Sequence, residues 1–325
     1  VFAFADPEII ELAKTKFVPA CADDWYQRRR RDAEGEFWKK VYKQGPRKDE
    51  NSTHQGIYVF TADGELLSFK NAGQDVKATR EQLAYGLRKW NDLPAGRRKP
   101  GAVKVEEHGK PDPNFSRTPP EGGLVVRVHA RILDKKGDGY AKGTCDFLGG
   151  DRAARDFLWV TADEVKQLAP AKAEVGFSYD VPAKVAERIL RYHLVDNTRG
   201  EPEHWKRDDI RSKALTLTVT GATADGVELR LDGEAVLATD ADPAKADRGY
   251  EVKLLGKLRF AKGAFDKFEV AAIGEHWGAA TFTKKGERPG RGLLGVTFDL
   301  ADPTVSADRV APQGAREIGA YLGKY

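Results

Sequence analysis

The chain has 325 residues, of which 40% are hydrophobic and 32% charged, with a formal net charge of +4. That balance excludes a disordered or fibrous polypeptide, and no apolar run reaches the roughly 18 residues of a membrane-spanning helix. The length predicts two domains, and the basic excess, which falls entirely within residues 1–100, is too mild to favour a nucleic-acid partner.

The two cysteines, Cys21 and Cys145, permit at most one disulfide, and there is no methionine. A first residue other than Met is expected either from removal of a signal peptide or from truncation. With the absence of sulfoxide-prone side chains, it tilts the expectation towards a secreted or periplasmic protein.

In chain order, Asp6-Pro7 predicts a helix start, with Asp6 as cap and Pro7 at the first helical position. Ile9, Ile10, Ala13 and Phe17 follow at helical spacing. Residues 17–21 form an apolar run that Pro19 restricts to a short or edge strand. A second helix is expected over 25–44, a hairpin over 56–70 turning at Asp63-Gly64, and a helix over 75–90.

This order, with FVPACADDW at 17–25 and GIYVFTADGELLSF at 56–69, resembles the thioredoxin-like family from its second helix onwards, over residues 6–90. The resemblance implies a strand within 17–25 and the family's final hairpin. The departures are large. No Cys-x-x-Cys heads a helix, so the thiol activation that dithiol exchange needs is missing. Gln55 stands where the family places a proline. The resemblance therefore implies the fold without dithiol chemistry.

Residues 94–120 carry prolines and glycines at a density that predicts a linker. The expected organisation is thus a domain over 1–93, a linker over 94–120 and a larger mixed domain over 121–325. In the last, strict alternation predicts a strand over 123–134, with His129 on its charged side. A second strand is expected over 157–160. Thr161-Ala-Asp-Glu164 is a capping box. A helix after Asp180 should bury Val185, Ile189 and Tyr192 and pair Glu187 with Arg191. From Leu215 five strand regions follow, predicting an antiparallel sandwich or barrel. The fold class is α+β. The second half is similar to secreted bacterial proteins with a thioredoxin-like front, and that likeness implies no activity.

The densest set of potential ligands lies in 193–209. His193, Asp196, Glu201 and His204 supply imidazole and carboxylate groups suited to a divalent metal. No cofactor other than such a metal is expected. The plainer reading of the same stretch is a loop held by ion pairs to Arg191, Arg199, Lys206, Arg207 and Arg211. Glu275, His276 and Trp277 close a strand and define a second candidate pocket, on which His129 could converge; a half-buried imidazole on a sheet is the simpler expectation. Cys21, followed by Asp23 and Asp24, is expected to be buried and structural, since nearby acids oppose thiolate formation. Residues 28–31, with Trp25 and Tyr26, offer an arginine cluster whose field the surrounding acids cancel. Residues 134–139 hold too few ligands for a calcium loop.

The expected function is a secreted or periplasmic binding or assembly protein without dithiol chemistry. The alternatives are a metal-dependent enzyme using the 193–209 loop, a single-thiol oxidoreductase, and a structural cell-surface component. A homo-oligomer or a surface assembly is the kind of partner that fits.

Overall fold

The computed structural model describes residues 2–71, 75–104, 109–143, 153–279, 290–302 and 304–323. The chain divides into two compact units, Val1–Arg117 and Thr118–Tyr325.

Unit 1 is built on helices and one hairpin. Helix α1 (Pro7–Lys16) starts where Asp6 accepts bonds from the amides of Glu8 and Ile9. The expected helix over 25–44 is broken into α2 (Asp24–Gln27) and α3 (Ala33–Tyr42). The break has a local cause. Asp32 takes up an extended backbone and caps α3 through the Gly35 amide, while its carboxylate pairs with Arg30 at 2.7 Å. These bonds hold Asp32 well below the usual carboxylate range, the Arg30 hydrogen bond being the largest cause.

The strand expected within 17–25 does not form. Pro19 has no amide to donate, Val18 is 98% exposed, and among the described residues no strand pairs with the segment, of which Phe17 alone packs on the core. Cys21 is free and exposed rather than buried; Cys145 lies outside the described residues. Strands β1 (Ile57–Phe60) and β2 (Leu66–Lys70) do form the antiparallel hairpin. Helix α4 (Val76–Asp92), capped by Asp75, lies on it. Ile9, Val59, Leu67 and Leu83 form the core of this unit, and Gln82 reaches from α4 to the Ser68 hydroxyl at 2.8 Å.

The Pro/Gly-rich stretch is tied back to unit 1 at several points. Arg97 pairs with Glu65 at 2.6 Å and with Asp63 at 3.0 Å. The Asp112 amide donates to Asp32 at 2.7 Å, and Phe115 packs against Trp25. The division between the units falls after Arg117.

Unit 2 is one nine-stranded antiparallel sheet with a helical cover. Its strands are β3 (Leu124–Lys136), β4 (Gly139–Lys142), β5 (Ala154–Val160), β6 (Ser178–Asp180), β7 (Ile210–Thr223), β8 (Gly226–Ala238), β9 (Gly249–Ala261), β10 (Ala264–Trp277) and β11 (Arg291–Leu300). The order is β4-β3-β11-β10-β9-β8-β7-β6, with β5 also pairing β3. The five strand regions expected after Leu215 are β7 to β11. They do not form a sandwich or a barrel: the sheet stays open, and its apolar face is covered by helices instead of by a second sheet.

Register explains how that face is made. Ala130, Val296, Ala272, Leu254, Gly233 and Leu215 form one row across six strands. Alternation puts every second residue on this inner face. The cover is α5 (Ala162–Leu168), α6 (Ala183–Arg188), a single π turn (Ile189–His193) and the chain that follows. Val165, Leu168, Val185, Ile189, Leu194 and Trp205 join the sheet residues in one core. A sheet face must be buried against something, and this segment meets that need. The capping box of α5 forms as expected, and so does the Glu187–Arg191 pair, at 2.7 Å. Among the described residues no helix is long and apolar enough to cross a membrane.

Candidate functional site

The stretch 193–205 turns inward. Leu194, Val195, Asp196, Thr198 and Arg199 are all buried. The loop is closed by reciprocal bonds: the Trp205 amide donates to the Arg191 carbonyl at 3.0 Å, and the Arg191 guanidinium donates to the Trp205 carbonyl at 2.9 Å. The Trp205 indole donates to the Leu194 carbonyl at 2.8 Å. These bonds fix a loop that carries charge into the interior.

The four residues expected to share a metal are divided among separate partners. His193 Nε2 meets the Tyr321 hydroxyl at 3.0 Å, and its Nδ1 lies 3.3 Å from Asp156. Asp196 accepts from the Thr198 amide and hydroxyl and from Arg199 Nε at 2.7 Å. Glu201 is exposed and pairs with Arg316. His204 stands edge-on to Tyr192, and burial, with His193 second, holds its pKa at about 4. Among the described residues no group of three or more His, Cys, Asp or Glu side chains could hold a metal ion. The reason lies in the arginines, which claim the carboxylates.

The second expected pocket is also redrawn. His129 and His276 cannot converge, because they lie on opposite faces of the sheet. His129 shares its row with Thr297, Ala271 and Leu255, and Leu255 is 61% exposed. His276 lies on the inner face beside Tyr250, 3% exposed. His129 instead meets Arg155 and Asp299. Glu275 points outward to Arg291 at 3.6 Å. Trp277 is buried, donates to the Ala246 carbonyl, and carries the Arg291 guanidinium 3.8 Å over its ring. Two glycines make that placement possible: a Cβ at Gly249 would strike the Trp277 ring, and Gly278 takes φ +78 where the chain passes Asp247.

One residue from each expected site is brought together. Asp196 of the loop and His276 of β10 line a single small cleft with Val195, Arg199, Pro202, Glu203, Trp205 and Arg248. Burial raises the pKa of Asp196, but His276, Arg199 and Thr198 outweigh it, and the net direction is downward. The Arg248 guanidinium stacks 3.9 Å over Trp205 and donates to the Glu203 carbonyl at 3.0 Å. Burial lowers its pKa, against the raising influence of Glu203 and Asp209.

A larger groove lies at the start of the unit. About 470 Å³ in volume, it is lined by Pro119, Pro120, Gly122, Gly123, Leu124, Val125, Phe265, Leu300 and Ala301, with Asp302, Asp308 and Arg309 at its polar end. Asp308 is engaged: it accepts from Arg127 at 2.8 Å and from the Asp302 amide at 3.1 Å.

Sequence reasoning did not single out Trp205, Arg248, Asp156 or Tyr321. A signal for Trp205 existed. Glu-His-Trp occurs twice, at 203–205 and 275–277, and each tryptophan is buried beneath an arginine. Asp156 and Tyr321 reach His193 only through tertiary structure. Comparison with protein-family models, curated proteins and solved structures finds no match to this chain.

Proposed function

We propose that this chain is an exported binding protein whose second unit holds a small, mostly apolar ligand with one polar end, without covalent chemistry. The groove at 119–125 and 300–309 carries this reading. Its volume of about 470 Å³ falls in the ~300–1,000 Å³ range typical of small-molecule sites. Its walls are apolar side chains and backbone. Asp308, held by Arg127, supplies a fixed polar group beside those walls. Arg309 adds an exposed cation at the same end.

Unit 1 enters the proposal as a thioredoxin-like body that has lost dithiol exchange. The order of helix, hairpin and helix supports this, while the missing strand within 17–25 counts against it. The exposed thiol of Cys21 has no cysteine near it in sequence, so disulfide reduction of the thioredoxin type is not part of the proposal. Export enters the proposal through the absence of methionine and the likeness of the second half to secreted bacterial proteins.

The test is a ligand screen by thermal shift on the full chain, repeated on Leu300→Trp, which fills the groove. Ligands of the proposed kind should stabilise the wild type saturably and leave the variant unmoved. Hits that stabilise both proteins equally, or a screen in which only polar or metal ligands act, would overturn the groove as the site.

A further inference from the structure

The groove does not use the cleft between Asp196 and His276. That cleft is small, about 10 Å³, which is roughly the room that one water or one ion of similar size needs. It is nevertheless walled by an unusual set of charges. Arg248 is 7% exposed, and its side chain makes one hydrogen bond to protein, to a backbone carbonyl. Its Nε is buried and has no partner. Among the described residues no carboxylate forms an ion pair with it. A buried guanidinium stays charged, so its charge calls for a counter-ion.

The neighbouring carboxylates Glu203 and Asp209 act on that charge from a distance, and neither forms an ion pair with the guanidinium. Asp196 is already bonded by Arg199 and Thr198. Glu203 is exposed and offers Arg248 its carbonyl. Asp209 accepts from the Lys206 amide at 2.8 Å. Arg199 also donates to the Gly278 carbonyl at 2.9 Å, fixing the opposite wall. The Trp205 ring beneath Arg248 gives a cation–π contact, which holds the guanidinium in place but does not cancel its charge.

We propose that this cleft binds a small monovalent anion, either a halide ion or one oxygen of a carboxylate reaching in from solvent, with Arg248 as its principal ligand. The anion neutralises the buried guanidinium and occupies a space too small for sulfate or phosphate. It joins the loop 194–205 to the start of β9 and the end of β10, so binding should tighten the covering layer against the sheet.

The probe is chloride, observed by the ³⁵Cl NMR linewidth on the full chain, with a bulky organic sulfonate keeping ionic strength constant. Excess broadening that saturates with chloride is expected for the wild type. It should be lost in Arg248→Gln and kept in Leu300→Trp, which separates this site from the groove. Acetate added to the wild type distinguishes the two sources: competition assigns the site to carboxylates as well, and no competition restricts it to halide. The melting temperature of the wild type should rise by a few degrees with the binding anion, by mass action. No excess broadening in the wild type, as for a cleft filled by water alone, would overturn the proposal. So would broadening that persists in Arg248→Gln. Should that variant fail to fold, the wild-type linewidth and melting curves decide the matter alone.

Discussion

Arg188 and Glu164 form the buried ion pair on which the covering layer of unit 2 depends. Arg188 is 1% exposed. Its guanidinium grips Glu164 with two bonds of 2.7 Å and donates to the carbonyls of Trp159 at 2.9 Å and Tyr321 at 2.8 Å. Four bonds thus tie α6 to α5, to β5 and to the C-terminal helix α7 (Ile318–Tyr321). Glu164 also accepts from the Thr161 amide at 2.9 Å, completing the capping box.

Glu164→Gln preserves the shape and removes the charge, leaving a buried guanidinium facing an amide. Removing one partner of a buried pair costs about 3–5 kcal/mol. Because glutamine retains one acceptor oxygen, the lower end, about 3 kcal/mol, is expected. Glu164→Ala also frees the Thr161 amide and should cost about 1 kcal/mol more. Arg188→Met strands the carboxylate and should cost about 3–5 kcal/mol. The double variant Glu164→Leu with Arg188→Met should cost no more than the worse single change, since no unpaired charge remains. The assay is urea unfolding of each protein, followed by near-ultraviolet circular dichroism. The pH dependence carries a sign. Burial raises the Glu164 pKa, but Arg188 and Thr161 outweigh it and set it below 4.5. The pair's contribution is therefore full above that value and is lost as pH falls through the lowered one. The gap between wild type and Glu164→Gln should narrow in acid. A Glu164→Gln variant within about 1 kcal/mol of wild type at neutral pH, or strictly additive single changes, would refute the account.

Ile189, 3% exposed in the main core, should cost about 2–5 kcal/mol when truncated to alanine, measured in the same urea assay. His204 has a folded pKa of about 4 against 6.5, so stability should fall by about 3 kcal/mol as pH drops from 6.5 to 4; a His204→Phe variant should flatten that part of the wild-type pH profile, and an unchanged profile would count against the burial argument. Cys21, being exposed, should react with a thiol reagent in the native protein as fast as in urea, and protection of that thiol would contradict the description of residues 17–23. Turnover of insulin disulfides should be absent in a reductase-coupled assay, and activity lost in Cys21→Ser would revive the single-thiol reading.

Where one face of a segment is buried in its own neighbourhood, the sequence carries the answer. The hairpin at 57–70, the capped starts of α1 and α5, helix α4, the alternation of β3 and the strands from β7 to β11 are all of this kind. The failures came where a local signal was outweighed by a competitor. The apolar run before Cys21 has β-favouring residues but no strand to pair with, and Asp32 stops a helix that the aromatic spacing would have continued. Whether strands close, sandwich or stay open depends on what covers the apolar face. Here the cover came from α5, α6 and the 193–205 loop, which composition alone marks as polar.

The candidate site shows the same division more sharply. The sequence marked 193–209 as rich in acid, base and charge and offered two readings, ligands around a common space and a loop held by ion pairs; Arg199–Asp196 is a pair of the second kind. Period-2 alternation already separates His129 from His276, because their strands are linked through β11 in a fixed register. Tertiary pairing then separates His193 from Asp196, since Asp156 and Tyr321 face the one while Arg199 and Thr198 face the other. Among the described residues Arg248, which the sequence places in an ordinary loop before β9, bonds a backbone carbonyl and stacks on Trp205 but forms no ion pair with a carboxylate. The proposal of an anion site rests on that guanidinium and on the cleft beside it.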